Sequence, residues 1–136
     1  MNKLLYFLIV PLAMALAGCG HSETADMEAD YAVTSEDIVQ EFLDDETAAG
    51  QKYIDKVIEV TGPVMEINNA DGKIIGIKLS TDEFSIVNCT FQETPESIPE
   101  GEVAIKGICS GFNGDPESML PGGTVELNRG VITNNQ

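Results

Sequence analysis

Residues 57–80 read VIEVTGPVMEINNADGKIIGIKLS. On both sides of Asp71-Gly72, apolar side chains recur at every second position, which is the period of a β-strand with one buried face. Asp-Gly is typical of a hairpin turn because glycine readily takes the positive φ that the turn requires. The stretch therefore predicts two antiparallel strands. Their predicted inward residues are Ile58, Val60, Gly62, Val64, Ile75, Ile77 and Leu79.

The same alternation predicts three further strands. Their predicted inward residues are Val87, Cys89 and Phe91 in the third, Val103, Ile105 and Cys109 in the fourth, and Val125 and Leu127 in the fifth. Pro95 and Pro99 interrupt the chain between the third strand and the fourth. Five short antiparallel strands with a break after the third predict a mainly β domain, a five-stranded OB-fold Greek-key barrel. A β-sandwich is the alternative, but five strands are few for it.

One or two short α-helices are expected before the barrel. Thr34 or Ser35 can cap a helix that ends near Leu43, and the acidic residues of its first turn favour the helix dipole. A second helical patch, TAAGQKYI, occupies residues 47–54. We place the OB-fold domain, with its N-terminal helix, at residues 35–133.

The first 18 residues are typical of an export signal. Lys3 supplies a positive start, and the apolar run Leu4–Leu16 is shorter than the roughly 20 residues that a spanning helix needs. Leu16-Ala17-Gly18-Cys19 matches the lipobox, in which a peptidase cuts before a cysteine that carries a diacylglycerol. Residues 1–18 are therefore predicted as a lipoprotein signal peptide and Cys19 as the lipidation site. Palmitate-type chains would then anchor the exported protein to the cell membrane or the outer membrane.

Residues 19–34 are polar and acidic and lack apolar periodicity. Such a composition predicts an acidic tether between the lipid and the folded domain. His21, the only histidine of the chain, lies in this stretch, where a lone imidazole has no fixed partners.

The charge of the chain argues against nucleic acid as a ligand. Seven Lys and Arg stand against 23 Asp and Glu, a formal net charge of −16, whereas binding to a phosphate backbone depends on cations that displace counterions. A nucleic-acid site would need cations gathered on one face, and the candidates are Lys73, Lys78, Lys106 and Arg129. Phe84 and Phe91 are the only aromatic residues near the strands on which OB-folds usually stack bases.

Cys89 and Cys109 remain once Cys19 carries lipid. An even pair in an exported domain suggests a disulfide. Two buried thiols and a redox-active pair are the alternatives, since the predicted topology does not require the third and fourth strands to be neighbours.

Three segments resemble a family of bacterial OB-fold lipoproteins named for its likeness to the anticodon-binding domain of transfer-RNA synthetases. Residues 52–62 place Tyr53 before the first strand, and residues 87–91 place a cysteine near the end of the third. Residues 107–111 match the Gly-x-Cys-x-Gly pattern that ends the fourth strand, and Gly114-Asp115 follow. The resemblance covers residues 36–133. It implies the OB-fold and raises single-stranded nucleic acid as a ligand.

The sequence shows no catalytic constellation, since its one histidine lies in the tether and a phosphate-cradling Gly-Lys-Ser motif is lacking. We therefore predict a protein that is not an enzyme and holds no cofactor or metal. The leading hypothesis is a membrane-anchored binding module whose loop Ser110–Gly123 engages a peptide, glycan or envelope protein through Phe112 and Asn113. Single-stranded nucleic-acid binding is one alternative. A structural or assembly lipoprotein is another, which an exposed apolar patch would favour; the sequence predicts no oligomeric state.

Overall fold

The computed structural model describes residues 23–81, 84–114, 119 and 122–134. The predicted signal peptide, Cys19 and His21 lie outside these ranges. The helical segments are a 3-10 turn (Thr24–Asp26), α1 (Ser35–Asp44) and α2 (Glu46–Tyr53). The strands are β1 (Tyr31–Thr34), β2 (Val57–Ala70), β3 (Lys73–Ser80), β4 (Ile86–Phe91), β5 (Glu102–Gly114) and β6 (Gly123–Ile132). None of the helices in these ranges is both long enough and apolar enough to cross a membrane.

Five of the strands close a barrel. Their order is β2-β3-β4-β6-β5, and β5 pairs back with β2. All of these pairings are antiparallel except that of β4 with β6, which is parallel. Such a parallel contact arises in a Greek key, where one connection carries the chain past a neighbouring strand. The predicted five-stranded OB-fold barrel is therefore confirmed.

The hairpin that joins β2 to β3 forms where the sequence predicts it. Asp71 and Gly72 have φ values of 52° and 76°, and a two-residue hairpin turn of this kind requires positive φ at both positions. The first half of β2 pairs with β5 and its second half with β3. The hairpin therefore extends from the barrel as an arm, which we call the β2–β3 arm and define as residues 64–76.

The barrel interior is filled by the alternate residues of its strands, as the periodicity predicts. The following side chains are at most 1 % exposed: Ile58, Val60, Ile77, Leu79, Val87, Cys89, Val103, Ile105, Cys109, Val125 and Leu127. The prediction for Ile75 is wrong, because this side chain is 44 % exposed. The pairing passes from Asn68–Gly76 to Asn69–Ile74, so Ile75 lies in a β-bulge. A bulge inserts one unpaired residue and interrupts the alternation of faces.

Helix α1 closes the end of the barrel at which β2 begins. Ile38, Val39 and Phe42 are at most 2 % exposed and belong to the same core as the strands. Thr34 caps the helix, since its Oγ1 accepts a hydrogen bond from the Asp37 N–H at 3.1 Å. The buried Ser35 hydroxyl donates to the carbonyl oxygen of Ser80 at 2.7 Å and so ties the helix to the end of β3.

Helix α2 is joined to α1 by a small polar cluster. Lys52 Nζ donates to Glu41 Oε1 at 2.8 Å, and the Tyr53 hydroxyl donates to Glu41 Oε2. Burial raises the pKa of Glu41, but the hydrogen bonds from Lys52 and Tyr53 outweigh burial and leave the pKa lowered. Tyr31 of β1 packs edge-on against Tyr53, with ring centroids 5.2 Å apart. These contacts hold α1, α2 and β1 together over one end of the barrel.

The predicted extent of the tether, residues 19–34, is wrong from Thr24 onward. Thr24 is fully buried, and its N–H donates to Gln92 Oε1 at 3.1 Å. Lys106 Nζ donates to the carbonyl oxygens of Ala25 and Met27 at 3.0 and 2.7 Å. Strand β1 then pairs in parallel with residues 58–61 of β2, along the edge that β3 does not reach. Pairing with an open strand edge satisfies the backbone hydrogen-bonding groups of that edge. This stabilisation cannot be predicted from the polar composition of residues 24–34.

Candidate ligand face

The outward face of β3, β4 and β6 carries a transverse row of polar side chains. Lys78 is the direct partner of Asn88, and Asn88 is the direct partner of Glu126. Directly paired residues point to the same side of a sheet, so the three side chains stand together outside the barrel. We call Lys78, Asn88 and Glu126 the polar row.

The charged side chains of the polar row, Lys78 and Glu126, each form a hydrogen bond with a neighbouring side chain. Lys78 Nζ lies 3.3 Å from Glu66 Oε1 on β2, and Asn88 Nδ2 donates to Glu126 Oε2 at 2.8 Å. Asn88 Oδ1 is buried and has no hydrogen-bond partner among the described residues. An unsatisfied buried acceptor costs roughly 1–3 kcal/mol, but a ligand donor does not reach this oxygen, because it is inaccessible to solvent.

The positions that flank the polar row are mostly uncharged. On one side, Ile86 of β4 is paired with Ser80 and Thr124, and Thr124 is paired with Asn113 of β5. On the other side, Thr90 is paired with Gly76. The face therefore presents hydroxyl and amide groups around its centre.

The two predicted contact residues of the Ser110–Gly123 loop are separated by the structure. Both lie in β5, which continues to Gly114, and not in a loop. Phe112 is paired with the inward Val125, and its ring stacks on that of Phe42 at 5.0 Å between centroids. The ring covers the end of the barrel and is only partly buried, so its role as a ligand contact stays a prediction. Asn113 is exposed beside Thr124 and remains a candidate contact at the edge of the ligand face.

Phe42 and Phe112 also form the floor of an open groove of about 640 Å³ between α2 and β5. Glu46, Thr47 and Gln51 supply its polar atoms. These side chains lie on successive turns of one helix, and no hydrogen bond to another described side chain orients them toward a ligand. The polar row has its groups held by strand register and hydrogen bonds, and is the better candidate.

Aromatic platforms for stacked bases are lacking on this face. Phe91 is only 9 % exposed and points into the core, as the sequence predicts. Phe84 is 48 % exposed in the turn before β4. The outward positions of β3 and β4 in the ladder, which are all described, hold no other ring. One exposed ring at the margin is a poor substitute for the successive platforms of single-strand binders.

Two of the predicted cations, Lys78 and Lys106, do not lie together. Lys78 lies on β3 beside Glu66, whereas Lys106 lies on β5. In the closed barrel, β3 and β5 are separated by β4 and β6 on one side and by β2 on the other. Lys106 is turned to the carbonyl oxygens of Ala25 and Met27. Lys73 begins β3 at the tip of the β2–β3 arm. The basic groove that a phosphate backbone requires is therefore not formed by Lys78 and Lys106.

Cys89 and Cys109 are free thiols, both buried. Each is the direct partner of Leu127, from opposite sides of β6. Adjacent strands are about 4.8 Å apart, so the two Cα atoms are separated by about 10 Å, beyond the roughly 7 Å limit of a disulfide. Burial raises the pKa of Cys89 to about 12 and that of Cys109 to about 11. Of the three alternatives, the structure has two buried thiols.

The polar row is missing from the sequence predictions, although a signal for it is present. Asn88 lies between the core residues Val87 and Cys89, and Glu126 lies between Val125 and Leu127, so alternation alone points both side chains outward. What brings them together is the register of β4 with β6. That register depends on the order of the strands in the closed barrel.

Known proteins share this architecture. A model of the family described as tRNA_anti-like matches residues 1–119. The chain belongs to this family. The family resemblance predicted from the sequence is thereby confirmed. No curated protein matches the chain.

Among solved structures, one match is a candidate nucleic acid-binding lipoprotein from Klebsiella pneumoniae subsp. pneumoniae. It is 17 % identical, with a TM-score of 0.50, and the alignment covers 85 % of this chain and 98 % of that one. At this identity the similarity shows the fold alone. The family member described here therefore shares the OB barrel.

Proposed function

We propose that the chain is a non-catalytic, exported lipoprotein, anchored to a membrane through Cys19, whose barrel binds an envelope ligand on the polar row. The ligand is uncharged and forms hydrogen bonds, as a glycan or a peptide does. The lipobox at residues 16–19 supports the anchor, and the similar Klebsiella protein is itself described as a lipoprotein. The outward face of the second and third barrel strands is where OB-folds usually take oligonucleotides and oligosaccharides.

The observation that carries the proposal is the composition of the polar row and its surroundings. Lys78 is paired with Glu66, Asn88 with Glu126, and the flanking positions offer hydroxyl groups. A polyanion would meet two carboxylates for the one ammonium. A neutral ligand would meet donors and acceptors, among them the hydroxyl groups of the flanking positions. Phe84, exposed at the margin, offers one apolar surface for a sugar ring.

Two further candidates also have observations in their favour. Single-stranded nucleic acid is favoured by the family's likeness to an anticodon-binding domain and by the description of the Klebsiella protein. A structural or assembly role is favoured by the exposed apolar side chains of the β2–β3 arm, which are Met65, Ile67 and Ile75.

The test is a binding screen of the chain against envelope glycans and peptides, repeated with the Asn88→Ala variant. Loss of one hydrogen-bonding group at a ligand contact costs about 1–3 kcal/mol, so we expect the affinity of a hit to fall about tenfold. Asn69→Ala is the matched control, because Asn69 is exposed on the β2–β3 arm away from the polar row. A hit that both variants bind as tightly as the parent chain would place the ligand elsewhere, and a screen without hits would favour the assembly role.

A further inference from the structure

We propose that the β2–β3 arm rests on the lipid bilayer that carries the anchor, so that this end of the barrel faces the membrane. The inference rests on the proposed lipid anchor at Cys19 and adds an orientation to it. Three observations support it: the short connection to the anchor, the position of the arm, and the chemistry of its exposed side chains.

The connection between anchor and barrel is short because the chain is already packed against the barrel at Thr24. Thr24 is fully buried and held by Gln92, and the carbonyl oxygens of Ala25 and Met27 are held by Lys106. Cys19 precedes Thr24 by five positions. A chain spans at most about 3.4 Å per residue, so the lipidated cysteine lies within about 17 Å of this point. The barrel therefore cannot move far from the lipid surface.

The β2–β3 arm lies at the same end of the barrel as this attachment. Strands β2 and β4 run in the same direction, because each is antiparallel to β3. The β3–β4 ladder ends at the pair Gly76–Thr90, so Gln92, which follows two residues later, is at the end of the barrel from which the arm extends. Neighbouring strands are about 4.8 Å apart, so the base of the arm at Gly76 is about 5 Å from Thr90, two residues before the residue that holds Thr24.

The arm presents apolar side chains that the described residues cover only in part. Met65, Ile67 and Ile75 are 53, 39 and 44 % exposed, and the bulge at Ile75 is what turns that side chain out of the regular alternation. Exposed apolar groups of this kind mark contacts with a membrane or another protein. We commit to the bilayer because the short connection keeps this end of the barrel beside lipid whether or not any partner is present.

The charges around the arm limit how deeply it can enter. Glu66 and Asp71 accompany Lys73 on the arm, and Glu93 and Glu96 lie in the connection after β4. Carboxylates are repelled by anionic headgroups, whereas the long stem of Lys73 can keep its ammonium at the headgroup level. The contact is therefore shallow, at the boundary between headgroups and acyl chains. It is strongest on a zwitterionic surface such as phosphatidylcholine.

Tryptophan fluorescence tests the orientation cleanly because the chain has no Trp. Ile67→Trp places the probe on the arm, and Ile54→Trp is its matched control, since both isoleucines are 39 % exposed. Ile54 follows α2 at the opposite end, where its N–H donates to the carbonyl oxygen of Gly50. The full chain is expressed in a lipidating host, purified from membranes and reconstituted into phosphatidylcholine vesicles, with or without lipid that carries a nitroxide near the headgroup.

We expect the nitroxide to quench the Ile67→Trp variant at least about twofold more than the Ile54→Trp variant, as a shallow interfacial contact predicts. Ile75→Trp gives a second probe of the arm if Ile67→Trp does not fold. Equal quenching of the two variants would overturn the orientation. It would also be overturned if Ile67→Trp were not quenched because a partner or a second copy covers the arm and shields it from the nitroxide. Flotation of the vesicles separates the two proposals. Protein that fails to float would overturn both the anchor and the orientation, whereas protein that floats with equal quenching would overturn the orientation alone.

Discussion

Replacing Phe42 by alanine is expected to lower the free energy of unfolding by about 3–5 kcal/mol. Phe42 is 1 % exposed and lies between two rings, with centroids 5.0 Å from Phe112 and 6.0 Å from Tyr53. Its removal takes away apolar contact from the strand core and from both helices, and the rigid barrel end cannot collapse to fill the space. Urea denaturation followed by circular dichroism measures the loss.

Phe84→Ala is the matched control for Phe42→Ala. Phe84 is 48 % exposed in a turn, and its truncation should change stability by no more than about 0.5 kcal/mol. A loss at Phe42 as small as that at Phe84 would contradict the role of α1 as the closure of the barrel.

Gly130→Ala is expected to destabilise the protein by about 1–3 kcal/mol, because a methyl group added here has no space. The new Cβ would overlap Cys89 Sγ and would lie 3.2 Å from Thr90 O and 3.4 Å from Ile105 Cγ2. In the Cys89→Ala background the sulfur is absent, so the added methyl should cost less. We expect a coupling energy of about 1 kcal/mol between the two changes in a double-mutant cycle of urea denaturation.

Gly50→Ala is the control for the added methyl group. Gly50 lies in α2, where the nearest foreign atom to a new Cβ is Ile54 Cδ1 at 3.4 Å. Alanine is a better helix former than glycine, so this change should stabilise the protein by up to about 1 kcal/mol. Additive effects of Gly130→Ala and Cys89→Ala would show that the two sites do not touch and would contradict the packing of β4 against β6.

The sequence predicts the parts of the fold that depend on local physics. The hairpin at Asp71-Gly72 follows from the φ values that Gly and Asp tolerate, and the cap at Thr34 follows from its side-chain acceptor. The inward residues of the barrel follow from alternation. Each of these features is set by a few neighbouring residues, and each is present apart from the inward position of Ile75.

Features that depend on distant parts of the chain are not predictable in this way. Strand β1 has only four residues, and it forms because β2 leaves an edge open beside it. The bulge at Ile75 arises from the register of two strands. The separation of Cys89 from Cys109 arises because β6 lies between β4 and β5. Alternation alone cannot supply the order or register of the strands.

The candidate site likewise has features that the local sequence predicts and features that depend on the order of the strands. Asn113 is predicted as a contact and lies beside the ligand face, whereas Phe112, one residue earlier, turns inward to Phe42. The outward direction of the polar row is predictable from alternation, but its assembly needs three aligned strands. The separation of Lys78 from Lys106 agrees with the composition, because a net charge of −16 leaves few cations to gather.

The assignment of an uncharged ligand is tested by titrating a fluorescent single-stranded oligonucleotide with the chain, from low to physiological salt. With Lys78 paired to Glu66, and with Glu126 at the other end of the polar row, we predict no saturable binding even at low salt. The contradicting result is saturable binding whose affinity falls with salt, with log K decreasing by about 0.7 per phosphate contact for each tenfold rise in salt. That result would show a phosphate-binding groove and would overturn the assignment of an uncharged ligand to the polar row.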